Sequence, residues 1–255
     1  MVDHDTDTLD TYRGRVVYAD GRITEEESVL LKEHELNIII NGRPVMKLVC
    51  TKDMLKELVT GRLYTEGIID KPDDMDKMYF CRYENEVNIL TDKAIEWEDT
   101  VKSDLTCCTG NAAYVRMING RTPVRLPEYE WKKEWIFDLA GHFTEGLKLH
   151  DATKATHSCL LSWKGKIMIS CEDIGRHNAI DKAVGYALCE GIPLSECILY
   201  TSGRVPKDMA IKAIMAGVPV LASKSVATTD ACMLAKEYGL RLICRAWNDK
   251  MIIMD

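Results

Sequence analysis

No two of the ten cysteines form a C-x-x-C pair, and neither H-x-x-x-H nor H-E-x-x-H occurs. A zinc knuckle and a zincin site both need such spacing to bring ligands to one ion, so neither is expected. No apolar run approaches the about twenty residues that cross a bilayer. The start, M-V-D-H-D-T-D-T-L-D, lacks the basic and apolar regions of a signal peptide. A basic excess is missing as well. The net charge is -7 and the pI about 5.5, which argues against a general binder of nucleic acid or membrane surfaces, since both partners demand a dominating positive field. There is no internal repeat and no low-complexity tract. A cytoplasmic protein with reduced thiols is expected.

What is present is ordinary globular material: 255 residues, 46% hydrophobic and 29% charged, enough to bury a core in one domain or two. Cys50, Cys81, Cys159, Cys171, Cys189, Cys197, Cys232 and Cys244 mostly fall in apolar runs, where cysteine behaves as a small hydrophobe. Cys107-Cys108 differs, because it sits in L-T-C-C-T-G-N after the charge-rich stretch 91–104. Adjacent thiols beside Thr and Gly read either as an exposed segment with a reactive thiolate or as two ordinary thiols in a strand or loop.

Along the chain, residues 1–24 read as a polar tail with one strand at 15–18. Asn41-Gly42 between branched runs predicts a hairpin, since Asn-Gly supplies the positive φ angles of a type I′ turn. A helix follows from Asp53, with Met54, Leu55, Leu58, Val59 and Leu63 on one face, and a second hairpin spans 78–90 around Glu84-Asn85-Glu86. Pro123 and Pro127 mark a boundary. Residues 131–147 then show helical spacing, with Trp135, Ile136, Leu139, Ala140 and Phe143 facing inward. The expected domains are a tail at 1–24, an α+β portion at 25–126 that carries Cys107 and Cys108, and a second unit at 127–255.

Function gathers in that second unit. C-E-D-I-G-R-H-N-A-I-D-K, at 171–182, lies between a short apolar strand at 167–169 and an amphipathic helix, with Asn178 expected as N-cap and Asp181 in the capping-box position. Amides at a helix start are unpaired and carry the positive end of the dipole, so the turn is a natural seat for an anion. The bland reading is a solvated loop in which Glu172, Asp173 and Arg176 pair with one another. The pattern recurs twice: a strand runs into Ser202-Gly203-Arg204 before a helix opened by Pro206, and another, at 218–222, runs into Ser223-Lys224-Ser225 and Thr228 before a third helix. Strands alternating with helices imply a parallel sheet, whose carboxyl ends share one edge, where ligands of open α/β folds bind. Arg176, Lys182, Arg204, Lys207 and Lys224 are therefore expected near hydroxyls and glycines at a phosphate-bearing ligand. The last strand, 240–244, delivers Arg245 and Trp247 to that edge, where Trp247 serves either to stack on a base or to pack. His157, alone beside a strand, fits either a hydrogen-bonded core role or a catalytic one.

Taken together these motifs resemble the formate dehydrogenase accessory sulfurtransferase family, FdhD/NarQ. E-D-I-G-R-H-N-A-I-D-K at 172–182 is similar to that family's signature, and T-S-G-R at 201–204 and S-K-S-V-A-T at 223–228 follow in its order. E-L-N-I-I-I-N-G, T-E-G-I-I at 65–69 and His157 also match, so the likeness runs from about Glu33 to near the end. The resemblance implies an α/β protein, with a cytidine-deaminase-like three-layer C-terminal domain on a mixed, largely parallel sheet, and a smaller α+β N-terminal portion. It implies a sulfur carrier that takes persulfide sulfur from a cysteine desulfurase and passes it to the molybdenum (or tungsten) bis-guanine-dinucleotide pterin cofactor of a formate dehydrogenase. It further implies GDP-like nucleotides as ligand mimics, and a homodimer. Cys108, with Cys107 as alternate, would carry sulfur. The pocket residues would be Glu172, Asp173, Gly175, Arg176, His177, Asn178, Lys182, Ser202, Gly203, Arg204, Ser223, Lys224, Ser225, Thr228, His157, Arg245 and Trp247. Three places depart from the family pattern. Its C-G-x-C-G loop is here Cys107-Cys108-Thr109-Gly110-Asn111, its T-G-G before the histidine is Thr153-Lys154-Ala155, and the proline of its S-A-P-T is replaced in Val226-Ala227-Thr228. Two alternatives stand beside the relay: a cofactor chaperone that moves no sulfur, and a zinc deaminase, which is disfavoured because its H-x-E and P-C-x-x-C are absent.

Overall fold

Asp20-Gly21 is a turn signal, and the chain reverses there. The computed structural model describes residues 8–99, 111–113, 115–117 and 120–254. In it β1 (Leu9–Val17) and β2 (Ile23–Leu31) pair antiparallel along their whole length, with Gly21 at φ 88° in the turn. The expectation of a tail over 1–24 is thus corrected, and its boundary would cut β2. No apolar period reveals this ribbon, because charges pair across its face: Arg13 donates to Glu27 at 3.2 Å.

β3 (His34–Ile40) and β4 (Arg43–Cys50) form the expected hairpin, with Asn41 and Gly42 at φ 48° and 78°. Helix α1 (Leu55–Thr65) follows, then β5 (Lys77–Phe80) and β6 (Glu86–Leu90), which is parallel to β3. With β8 (Ala112–Ala113) these make a sheet in the order β5-β6-β3-β4-β8, while β7 (Trp97–Asp99) pairs with β9 (Val115–Met117). Leu36, Ile38, Leu48, Val87 and Ile89 close against Leu58, Val59 and Leu63 of α1.

Residues 120–132 carry no regular structure and run back across three helix ends. Arg121 donates to the Tyr64 and Met215 carbonyls, both at 2.7 Å, and Arg125 to that of Glu237 at 2.6 Å. Cations belong at such carboxyl termini.

The second sheet has the order β11-β10-β12-β13-β14-β15. Its strands are β10 (His157–Trp163), β11 (Lys166–Asp173), β12 (Cys197–Thr201), β13 (Val220–Ser223), β14 (Arg241–Cys244) and β15 (Ile252–Met254). α2 (Lys133–Glu145) covers one face, burying Ile136, Leu139 and Phe143 against Leu160, Tyr200 and Ile243. α4 (Arg176–Cys189), α5 (Lys207–Ala216) and α6 (Thr229–Tyr238) cover the other, against Leu161, Leu199 and Leu242. Between α2 and β10 lies α3 (Lys148–Thr153), a turn and a half that sequence periodicity is too short to show. The sheet is mixed rather than parallel. β10 lies between β11 and β12, antiparallel to both, so β11, β12, β13 and β14 still point one way and their carboxyl ends share an edge.

The two portions meet backbone to backbone. A Cβ built on Gly61 of α1 would stand 1.9 Å from the Asp181 carbonyl oxygen of α4, and one on Gly185 1.8 Å from that of Glu57.

Candidate functional site

At the shared edge the strand-end loops are bonded to one another. The Ser158 N–H donates to Ser202 Oγ at 2.9 Å, and the Ser202 N–H to the Ser158 carbonyl at 3.0 Å. Ser223, fully buried, donates to the Gly203 carbonyl at 2.7 Å and accepts from the Ser225 N–H at 2.9 Å. The Lys224 N–H reaches the Thr201 carbonyl, the Arg245 N–H that of Ser225, and the Ala246 N–H that of Ser223. These bonds leave the rim little freedom, so side chains on it are held in place.

Two adjoining cavities open on this rim, about 480 and 580 Å³ in volume. The first is lined by His157, Ser202, Ser225 and Thr156; the second by Leu147, Asp151, Asn248, Asp249 and Lys250. Phe143, His150, Lys154, Lys224 and Trp247 border both. Lys224 Nζ stands 4.5 Å from the Phe143 ring centre and 4.9 Å from that of Trp247, so a cation held by two aromatic faces divides the lobes. Trp247 remains 42% exposed, with ring area to spare for a flat ligand.

Arg176 joins this edge through Gly203. A Cβ there would lie 3.1 Å from Arg176 Cβ and 3.6 Å from His157 Nδ1, so the glycine lets both side chains close in. The buried Nε of Arg176 has no hydrogen-bond partner among the described residues. Burial, then the charges of Arg176, His150 and Arg204, hold the His157 imidazole below its ordinary pKa, which leaves it neutral at pH 7. The edge can therefore receive an anion and offers a neutral imidazole beside it.

A model of the FdhD/NarQ family matches residues 31–254. The chain belongs to that family. It is 28% identical over 250 residues to the sulfur carrier protein FdhD of Bacillus subtilis (strain 168), covering 95% of this chain and 93% of the relative. It is 31% identical over 252 residues to the sulfur carrier protein FdhD of Streptomyces avermitilis, covering 91% and 89%. To protein FdhD of Methanocaldococcus jannaschii it is 32% identical over 229 residues, covering 89% and 88%. A crystal structure from Desulfotalea psychrophila, provisionally described as a formate dehydrogenase accessory protein, superposes with a TM-score of 0.78 over 97% of both chains at 20% identity. That likeness supports the mixed α/β fold.

In this FdhD/NarQ chain half of the signature turns away from the cavities. Lys182 is fully buried and reaches Asp173 at 2.8 Å, Asp53 at 2.9 Å and Thr51 Oγ1 at 2.5 Å. Burial opposes its charge, but the two carboxylates outweigh burial and raise its pKa above the lysine range. It is therefore no ligand donor. Asn178 is not the N-cap: Gly175 is, and the buried Asn178 amide donates to the Val49 carbonyl and to Asp173 Oδ1, both at 2.8 Å. Asp173 also accepts from the Gly175 N–H at 3.0 Å. His177 points to α5, its Nε2 2.9 Å from Asp208 Oδ2. Thr228 caps α6 by accepting from the Ala231 N–H at 3.3 Å. Arg204, Lys207 and Arg245 are exposed, Arg245 at φ 47°. Cys107 and Cys108 lie outside the described residues.

Glu172 is corrected from ligand group to clamp. Its carboxylate accepts from the Leu149 N–H at 2.8 Å, the His150 N–H at 2.6 Å and Thr156 Oγ1 at 3.0 Å, and so holds α3, which brings His150 to the cavity wall. Three bonds to one charged acceptor predict that Glu172→Ala costs about 2–4 kcal/mol in urea unfolding, and Glu172→Gln about half that. A Glu172→Ala midpoint equal to wild type would reject the clamp. The wall residues His150 and Lys154 were missed in the sequence. Their signal was an i,i+4 pair in K-L-H-D-A-T-K, just after Gly146.

Among the described residues no helix is long and apolar enough to cross a membrane, and no group of three or more His, Cys, Asp or Glu is placed to hold a metal ion.

Proposed function

We propose that this chain is a sulfur carrier that delivers persulfide sulfur to the molybdenum (or tungsten) bis-guanine-dinucleotide cofactor of a formate dehydrogenase. The observation that carries the reading is the paired cavity at the strand ends, where His150, Lys154, Lys224 and Lys250 line the walls and Arg176 flanks His157. Such a rim suits the pyrophosphates of a dinucleotide, and Trp247 suits a base or pterin. The names of the relatives support the sulfur-carrying half.

The chemistry needs two displacements. The thiolate of Cys108, with Cys107 as alternate or resolving thiol, attacks the outer sulfur of a desulfurase persulfide; that S–S bond breaks and the desulfurase cysteine leaves as thiolate. The outer sulfur, formally zero-valent, then passes to the reduced metal. The second S–S bond breaks with its electron pair on Cys108, and two metal electrons complete a terminal sulfide. Neutral His157 is placed to take or give a proton at the cavity edge.

The same reading makes the cysteine desulfurase and the formate dehydrogenase apoenzyme the partners, with a cytoplasmic homodimer as the working form. It keeps 127–255 as the cofactor-binding domain of cytidine-deaminase-like design, with the N-terminal portion now counted from the start of β1.

Incubation with a cysteine desulfurase and cysteine is expected to add 32 Da (~one sulfur) to the peptide bearing Cys107 and Cys108, read by mass spectrometry, and Cys107→Ser/Cys108→Ser abolishes it. An adduct that survives the double replacement would reject the relay. Dehydrogenase maturation that survives it would favour a chaperone that moves no sulfur.

A further inference from the structure

The larger lobe, about 580 Å³, is walled on one side by the turn that joins β14 to β15. That turn is held in place. At its base the Tyr200 hydroxyl donates to the Ala246 carbonyl at 2.7 Å, and the Ala246 N–H to the Ser223 carbonyl at 3.0 Å. Within it the Trp247 N–H donates to the Lys250 carbonyl at 2.8 Å, and Asn248 Oδ1 accepts from Thr144 Oγ1 of α2 at 3.1 Å. Trp247, Asp249 and Lys250 all line the lobe, so their side chains start from a fixed backbone.

Two carboxylates face this lobe, and they differ in what they already hold. Asp151 is paired with Lys154 at 2.9 Å and folds back over Gly146, where a Cβ would stand 2.2 Å from Asp151 Oδ2. Asp249 makes no hydrogen bond or ion pair among the described residues, and neither does Lys250 Nζ. An anionic acceptor and a cationic donor thus stand side by side, two and three residues beyond an exposed indole.

A flat heterocycle stacked on Trp247 would present its edge to that pair. Guanine and pterin share an edge that fits it: a 2-amino-4-oxopyrimidine offers a ring N–H and an amino group as donors beside a carbonyl acceptor. Adenine fits badly, because its N1 lone pair would face the carboxylate. We propose that the larger lobe reads the 2-amino-4-oxopyrimidine edge, with Asp249 as the specificity-determining residue. Its carboxylate accepts from the ring N–H and the amino group, and Lys250 donates to the carbonyl. The inference rests on the cofactor reading above and deepens it by naming the edge that is recognised and the group that recognises it.

The test titrates the full chain calorimetrically with GDP, IDP, ADP and 6-hydroxymethylpterin. IDP differs from GDP only in lacking the amino group. Wild type should bind GDP at least about tenfold more tightly than IDP or ADP, and Asp249→Ala should bring the three within about threefold by weakening GDP. Asp249→Asn should raise the affinity for ADP, because its amide can donate to adenine N1 and accept from the 6-amino group. A merely structural lesion would not raise it, and both variants should melt with wild type. The pterin separates the two sources of the edge. A preference for GDP over IDP that depends on Asp249 assigns the lobe to guanine. Equal binding of GDP and IDP, with pterin binding that Asp249→Ala weakens at least about tenfold, assigns it to the pterin. Nucleotide and pterin affinities unmoved by Asp249→Ala overturn this inference alone. A wild type that binds neither GDP nor the pterin overturns it together with the cofactor half of the reading, while the sulfur-carrying half is decided separately by the adduct on the Cys107-Cys108 peptide.

Discussion

Gly185→Ala is expected to leave little folded protein. Alanine normally stabilises a helix by about 1 kcal/mol over glycine. Here its Cβ would stand 1.8 Å from the Glu57 carbonyl oxygen and 2.6 Å from its carbon, and the obstacle is backbone of α1, which cannot rotate aside. The helices would have to part by more than an ångström. Parting them pulls Lys182 from Asp53 and Thr51, and Asp181 from Thr65 Oγ1, now 2.8 Å away, and from Arg62, now 3.6 Å away. Overpacking against backbone costs about 3 kcal/mol, and opening a buried ion network about as much again, which together consume most of a typical domain's stability. Gly61→Ala should behave alike, since its Cβ would meet the Asp181 carbonyl oxygen at 1.9 Å. Gly141→Ala in α2 is the internal control: nothing lies within 4 Å of its Cβ, so it should raise the melting temperature slightly. A Gly185→Ala protein that melts within about 5 °C of wild type would show that the helices do not cross this closely.

How much of this was legible depended on whether the deciding partner lay nearby in the chain. The Asn41-Gly42 turn, the strands running into Asp173, Thr201 and Ser223, and the glycines that end α5 and α6 at φ 76° and 74° are local signals, and they led to the right elements. The turn at Lys164-Gly165 is local and runs β10 back against β11, but the insertion of β10 between β11 and β12 was not legible, because it follows from pairing rather than composition. Nor was the fate of Glu172, Lys182 and Asn178. Periodicity places them at one turn, but their direction is set by Val49, Thr51 and Asp53, which lie more than a hundred residues earlier, and by the amides of α3. In the 172–182 motif the charged residues with satisfied partners are structural. Arg176, whose Nε is left without one among the described residues, faces the rim.

That distinction decides where nucleotide affinity should reside. Arg176 lies against Gly203 beside His157, and Arg204 is exposed at the next position, near enough to help depress the His157 pKa. Among the described residues neither guanidinium forms an ion pair with a carboxylate, as Lys182 does with Asp173 and Asp53. Each bond from such a cation to phosphate contributes about 1.5–3 kcal/mol, so Arg176→Ala should weaken GDP binding at least about tenfold. Adding Arg204→Ala should bring the loss to about a hundredfold and flatten the dependence of affinity on salt, because two charges that respond to screening are gone. The thermal stability of both variants should stay near wild type, since no ion pair to another side chain among the described residues is broken. Lys182→Met should do the opposite: it strands the buried Asp173 and takes the partner from the half-buried Asp53, so the protein unfolds at about 3 kcal/mol less free energy, with GDP affinity preserved in whatever fraction remains folded. Calorimetric titration with GDP, paired with urea unfolding of the same samples, separates the two patterns. If the Arg176→Ala/Arg204→Ala protein bound GDP within about threefold of wild type, the strand-end rim would not be the phosphate seat.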